Sequence, residues 1–220
     1  EQGDTLFIYG DYLYYDGMTQ IAQLRENVKM INRNTTLLTD SLNYDRLYNL
    51  GYFFDGGTLM DEQNVLTSEW GEYNPSTKQS VFNYNVKLVN PQFTLTSDTL
   101  EYNTQSKVAE IVGPSDILSD NNHIYSEQGT YNTATGKAAL YQRSIITNDA
   151  KQLTGDTLFY DRNTGVGEAF SHMEMRDTIN KNMMTGEYGY YNEKTKYVFA
   201  TDKAVAIDYS QGDSLFLHAD

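Results

Sequence analysis

An acidic residue returns along this chain at Asp11, Asp40, Glu69, Asp98, Glu127 and Asp156, each 29 residues after the last. The series continues at Glu187 and Asp213, after steps of 31 and 26. Four positions after each of the first seven acids stands a tyrosine: Tyr15, Tyr44, Tyr73, Tyr102, Tyr131, Tyr160 and Tyr191. Asp or Asn follows every one of these tyrosines, and three positions before each acid lies an apolar residue: Ile8, Leu37, Leu66, Leu95, Ile124, Leu153 and Met184. A period of this length marks a supersecondary unit that buries its apolar face only by stacking on its neighbours.

A second rhythm overlies the first. From residue 40 onward Asp-x-Leu alternates with Glu-x-Gly, through Leu42, Gly71, Leu100, Gly129, Leu158, Gly189 and Leu215, while Asp11-x-Leu13 breaks the order. The longer period is therefore about 58 residues. Each glycine either makes room for a neighbouring aromatic or leaves a groove, and the sequence leaves both open.

The units read as strands. In "DTLEY" (98–102) the acid, Leu100 and Tyr102 share one face, because side chains alternate with period two. Nineteen Tyr and nine Phe fit half-buried pleated surfaces. Behind each tyrosine comes a turn such as "YNPSTK" or "YDRNTG", where Asn or Asp can bond the backbone two residues on. Each unit is thus two strands and two turns. The apolar residue at −3 and the leucine at +2 are five apart, so a straight strand would point them to opposite sides. Both reach one interior only if the strand bends at the Ser-Asp, Gly-Asp or Ser-Glu step, which makes that step a fold line between two facing sheets. "IAQLRENVKMINR" (21–33) carries Leu24, Val28 and Ile31 at helical spacing. The repeat register favours a strand there, because Val28 lies 17 after Asp11 as Val86 lies 17 after Glu69.

Little chemistry is written on this frame. A net charge of −14 excludes a phosphate-tracking nucleic-acid binder, which needs clustered Lys and Arg. The absence of cysteine removes disulfides, thiolate nucleophiles and Cys-ligated zinc. His123, His172 and His218 fall at different repeat positions outside any ligand motif, and no nucleophile elbow or phosphate loop occurs. One acid per 29 residues does not gather the oxygens calcium needs, so neither a metal nor a cofactor is expected. Equivalent acids also lack the asymmetry of a glycosidase pair. An enzyme is not expected, although a right-handed β-helix, with parallel rungs, could place acids on neighbouring rungs. No apolar run is long enough for a membrane-spanning helix.

Tandem units of the form apolar-x-[Gly/Ser]-[Asp/Glu]-x-[Leu/Gly]-x-Tyr, clearest in "TGDTLFYDRNTG" (154–165), resemble the OstA-like family from about Leu6 to Phe216. That family includes the periplasmic lipopolysaccharide bridge LptA and related domains of LptC and LptD. The resemblance implies an all-β antiparallel β-jellyroll with two facing sheets, an apolar interior and open ends. It implies a non-enzymatic periplasmic protein of a Gram-negative bacterium that shields the acyl chains of lipid A and passes them along domains joined edge to edge. Carried over by position, Leu13, Tyr15, Leu42, Tyr44, Tyr73, Leu100, Tyr102, Tyr131, Leu158, Tyr160 and Tyr191 would line that interior, joined by Leu37, Leu66, Leu95, Ile124 and Leu153. The alternative is a structural β-repeat spacer with a fully packed core.

The whole of 1–220 is expected to form a single repeat domain, cut from a longer chain. "EQGDTLFIYG" shows neither an initiator Met nor a signal-peptide pattern, and "GDTLF" (3–7) and "GDSLFLHAD" (212–220) read as partial units. Their strand edges would pair with another copy or with a related domain.

Overall fold

A computed structural model describes residues 5–119 and 122–219, so Gly3 and Asp4 of the opening partial unit lie outside the described residues. The chain divides into two compact units, 1–112 and 113–220. The first contains β1 (Leu6–Tyr9), β2 (Tyr12–Asp16), β3 (Ile21–Asn32), β4 (Thr35–Asp45), β5 (Leu50–Phe53), β6 (Gly57–Asp61), β7 (Asn64–Ser68), β8 (Trp70–Asn74), β9 (Gln79–Asn90) and β10 (Phe93–Asn103). The boundary falls within β11 (Val108–Leu118). The second unit continues with β12 (Asn122–Asn132), β13 (Lys137–Asn148), β14 (Lys151–Asp161), β15 (Val166–Asp177), β16 (Asn182–Asn192), β17 (Tyr197–Thr201), β18 (Ala204–Asp208) and β19 (Leu215–Ala219). Residues 21–32 of that segment are strand, as their repeat register requires, and pair antiparallel with β4 on either side of a bulge.

In both units sequence neighbours pair antiparallel, as in β3 with β4, β9 with β10 and β14 with β15. The parallel rungs of a β-helix enzyme are not what these ladders form. Each unit is a β-jellyroll, an antiparallel ladder creased along its middle so that its two halves face each other. The outer half of β4 pairs with β6, for example, while its other half pairs with β5.

The crease lies at the repeated acid. Ser97 pairs with Val86 and Thr99 with Asn83, leaving Asp98 opposite the two residues Tyr84 and Asn85. Those two have φ of 65° and 53°, and Glu26–Asn27 and Ser171–His172 repeat the left-handed pair at their own corners. One extended residue thus faces two left-handed ones, a bulge that turns the strand between sheets. Leu95 and Leu100, on either side of Asp98, are consequently both fully buried. The parity mismatch in the sequence was a crease.

At the far end of each rung, the Asp or Asn after the repeat tyrosine closes the turn. Backbone amides of Met18, Leu47, Ser76, Gln105, Ala134, Asn163 and Lys194 donate to the side-chain oxygen two residues earlier. These turns require one left-handed residue, which is Gly136 and Gly165 in two copies but Lys78, Lys107 and Lys196 in three others. Between the half-sheets lies the core, with Leu42, Phe53, Leu59, Phe82, Leu88 and Leu140 fully buried.

Candidate functional site

The interior column holds most of the residues that the repeat pattern points inward. Leu37, Leu42, Leu66, Tyr73, Leu95, Leu100 and Tyr102 are buried in the first unit, and Ile124, Tyr131, Leu153, Leu158, Tyr160 and Tyr191 in the second. Tyr44 is half-buried. Leu13 and Tyr15 depart from the expectation, being 67% and 44% exposed. Their register places them on the inner column, Leu13 opposite Leu24, but among the described residues β2 pairs with β3, and Arg46 over the Tyr15 ring, donating to its hydroxyl at 3.0 Å, does not bury that face.

The glycines are filled rather than hollow. A Cβ at Gly71 would lie 2.6 Å from the Phe53 ring, and one at Gly189 would lie 2.3 Å from the methyl of Met173. The alternation of Leu with Gly therefore lets a large side chain from a neighbouring strand cross the column. Among the described residues, no group of acids and histidines is arranged to hold a metal ion. The acids at the crease instead accept from the residue 16 positions on: Asn27 to Asp11 at 2.6 Å, Asn85 to Glu69 at 2.5 Å and His172 with Asp156 at 2.7 Å. Acid-bearing strands are separated by one strand, about 10 Å, which is too far for two acids to share an ion.

Opposite the crease, the two lips of each unit meet in a polar seam. Tyr102 donates to Asp61 at 2.7 Å, Asn64 donates to the Tyr102 hydroxyl at 2.9 Å, and Lys107 reaches the same Asp61 at 2.7 Å. In the first unit Tyr73 and Lys78 meet Asn32 in the same way, at 3.2 and 2.6 Å. In the second unit Asn122 donates to Tyr160 at 2.7 Å and to Glu193 at 3.0 Å, and Asn148 donates to Asn122 at 3.0 Å. Tyr191 reaches Asn148 across 3.4 Å. Burial pushes the Tyr131 and Tyr191 hydroxyls up to about 12, and Tyr160 higher still, with Glu193 adding to it. The seam makes Tyr73, Tyr102, Tyr160 and Tyr191 amphipathic, each ring packing the column while its hydroxyl ties one lip to the other, whereas the Tyr131 hydroxyl accepts from Arg162 on the neighbouring turn at 2.8 Å.

Sequence reasoning missed this seam. A signal for it existed, because Asn32, Asp61, Asn90, Ser119, Asn148 and Asp177 also recur every 29 residues. Their side chains carry the polar lip that the tyrosines reach.

The second unit's interior opens beside β16 and β18, where a cavity of about 330 Å³ is lined by Met175, Met183, Met184, Ile207, Leu215 and Leu217 among others. Lys151 and Asp177, an ion pair, stand at its rim. The backbone amide of Asn180, with Lys151, holds the Asp177 carboxyl well below the usual range. Leu215 and Leu217 on β19 are 58% and 60% exposed.

The OstA-like family description matches residues 1–98 and 93–156, more than half of the chain. The chain belongs to the OstA-like family. No curated protein matches it significantly. Among solved structures, it is similar to LptH of Pseudomonas aeruginosa, the LptA-homologous periplasmic component of the lipopolysaccharide transport device. That likeness is 13% identical with a TM-score of 0.44, over 48% of this chain and 80% of the other. Within the OstA-like chain, the column, seam and cavity are the features that a function has to use.

Proposed function

We propose that this OstA-like chain is a non-enzymatic periplasmic component of lipopolysaccharide transport in a Gram-negative bacterium. Its interior shields acyl chains of lipid A and passes them to another OstA-like domain, or a second copy, joined through an exposed edge strand. The observation that carries the reading is the methionine-lined cavity between Met183 and Leu217, which prolongs the apolar column to the surface. At a water-sized volume of about 30 Å³ per group, it has room for on the order of ten chain carbons. Methionine suits such a wall, because its unbranched side chain repacks around guests of different shape. The charge of −14 leaves acyl contacts as the main source of affinity.

The test is displacement of an apolar fluorescent probe by lipopolysaccharide, with Leu217→Glu as the variant. Leu217 is exposed, so a charge there changes the mouth without unfolding the core. Displacement should occur with the unaltered chain and weaken by about tenfold or more in the variant. If lipid neither displaces the probe nor crosslinks to the cavity, the carrier reading fails. A structural spacer is then favoured by the first unit, where Leu42, Phe53, Leu59 and Phe82 leave no exposed surface.

A further inference from the structure

Inner side chains of the second unit form a row across successive strands. Leu153 on β14 pairs with Met175 on β15, Met175 with Met184 on β16, Met184 with Ala206 on β18, and Ala206 with Leu217 on β19. A second row runs along the facing half-sheet, from Tyr160 through Gly167 and Tyr191 to Val198. Two spaces lie between these rows. The outer one is the cavity of about 330 Å³, walled by Met184, Ala206 and Leu217 on one side and Val198 on the other. The inner one, of about 10 Å³, lies at Leu153, Gly167 and Tyr191 and is closed by Asn122, Asn148 and Glu193 of the seam.

Met175 and Lys151 line both spaces. Lys151 is tied to Asp177 at the rim, so the buried Met175 side chain is the partition between them. Behind it there is room for about one water-sized group. Met173, on the same strand, crosses the column to Gly189, where a Cβ would come within 2.3 Å of its methyl. The outer cavity is therefore blind. Its depth follows from the register, because Leu217 and Met175 are three strand steps apart, about 14 Å. An extended alkyl chain of on the order of ten carbons covers that depth, and the volume admits the same number. Volume and depth agree only if the cavity is one chain wide.

We propose that this row is a length gauge: the cavity takes one alkyl chain end-on, and Met175 is the floor that sets how many carbons it accepts. The inference rests on the acyl-chain reading and adds a limit to it. Each methylene that enters the cavity tightens binding about three- to fourfold, and each one left outside the mouth adds nothing. Affinity therefore rises with chain length up to about ten carbons and then stops rising. The flexible Met175 thioether suits this position, because it closes against the terminal methyl of whichever chain reaches it.

The experiment is displacement of phenylnaphthylamine by straight-chain alkanols of increasing length. Alkanols carry no charge, so the acids at the rim and the net charge of −14 stay out of the comparison. With the unaltered chain, affinity should climb with each methylene and break at about ten carbons. Ala206→Leu adds three heavy atoms to open space in the mouth, and should move the break to chains shorter by about three carbons. Met175→Ala joins the inner space to the mouth, and should move the break to longer chains by about the same number. Met175 is buried, so that variant also loses stability; if it does not fold, Ala206→Leu decides the question alone. A climb that continues unbroken to about fourteen carbons, or a break that Ala206→Leu leaves in place, overturns the gauge. Displacement by lipopolysaccharide is measured beside it on the unaltered chain. If the lipid displaces the probe and no break appears, the gauge fails and the carrier reading stands. If neither the lipid nor any alkanol displaces it, the carrier reading fails and the gauge falls with it.

Discussion

Tyr102 shows what the repeat gains from a phenol where phenylalanine would also fill the space. Its side chain is fully buried, yet its hydroxyl receives from Asn64 and donates to the Asp61 carboxylate. Replacing it by Phe removes little volume but leaves a carboxylate oxygen and an amide short of one partner. Tyr102→Phe should therefore cost about 1.5–3 kcal/mol, read as a lowered urea midpoint at unchanged slope. A loss under about 0.5 kcal/mol would show that the seam is decoration. Gly71 carries the complementary prediction. Its Cβ would meet the Phe53 ring at 2.6 Å and the Val81 carbonyl at 2.9 Å, and the backbone atom cannot swing away. Gly71→Ala should cost about 1–3 kcal/mol, and Gly71→Ala combined with Phe53→Leu should recover part of the loss.

The element that governs the architecture is the corner. Strand pairing, inward leucines and closing turns were legible because each follows from a residue type at a fixed spacing: Asp98, Leu100, Tyr102 and Asn103 announce acid, core, seam and turn. The bend itself was legible from the five-residue gap between Leu95 and Leu100. The left-handed pair opposite it was not, because Glu26–Asn27, Tyr84–Asn85 and Ser171–His172 share a position rather than a composition. Gly56 and Gly113, with φ of 83° and 103°, betray the conformation by their residue type at the same step. The filled glycines were equally hidden, since Phe53 lies on a strand whose sequence gives no notice that its ring crosses to Gly71. Corner strain is measurable at Asn85. Asn85→Ala loses the bond to Glu69 and keeps the left-handed backbone, so a cost of about 1–2 kcal/mol is expected. Asn85→Gly loses the same bond but relieves the backbone, and should lie within about 0.5 kcal/mol of the unaltered chain. Should glycine prove the worse of the two in urea titration, the side-chain bond and not the backbone sets the corner.

Across the whole molecule, the buried phenols bind stability to alkaline pH. Burial first, and neighbouring carboxylates second, push Tyr188 and Tyr191 up to about 12, and burial against a nearby Arg162 leaves Tyr131 there as well. An unfolded tyrosine ionises near 10, so between about pH 10 and 12 the unfolded chain holds fewer protons than the folded one. Stability contributed by these groups is complete below about pH 10 and is lost as pH rises toward 12. Each ionisation also adds to a charge already at −14, so added salt should move the alkaline midpoint upward by screening that repulsion. Tyr131→Phe isolates one phenol. Near pH 8 the variant should be less stable, because Arg162 loses the oxygen it donates to at 2.8 Å. As pH passes 10, the unaltered chain must hold its phenol neutral against a rising pull from solvent, while phenylalanine has no proton to lose. The stability gap between the two should narrow steadily toward pH 12, followed by urea titration at each pH together with tyrosinate absorbance. A gap that stays constant across that range would mean that Tyr131 ionises as readily in the folded chain as in the unfolded one, and its hydroxyl would then not be shielded from water as its burial requires.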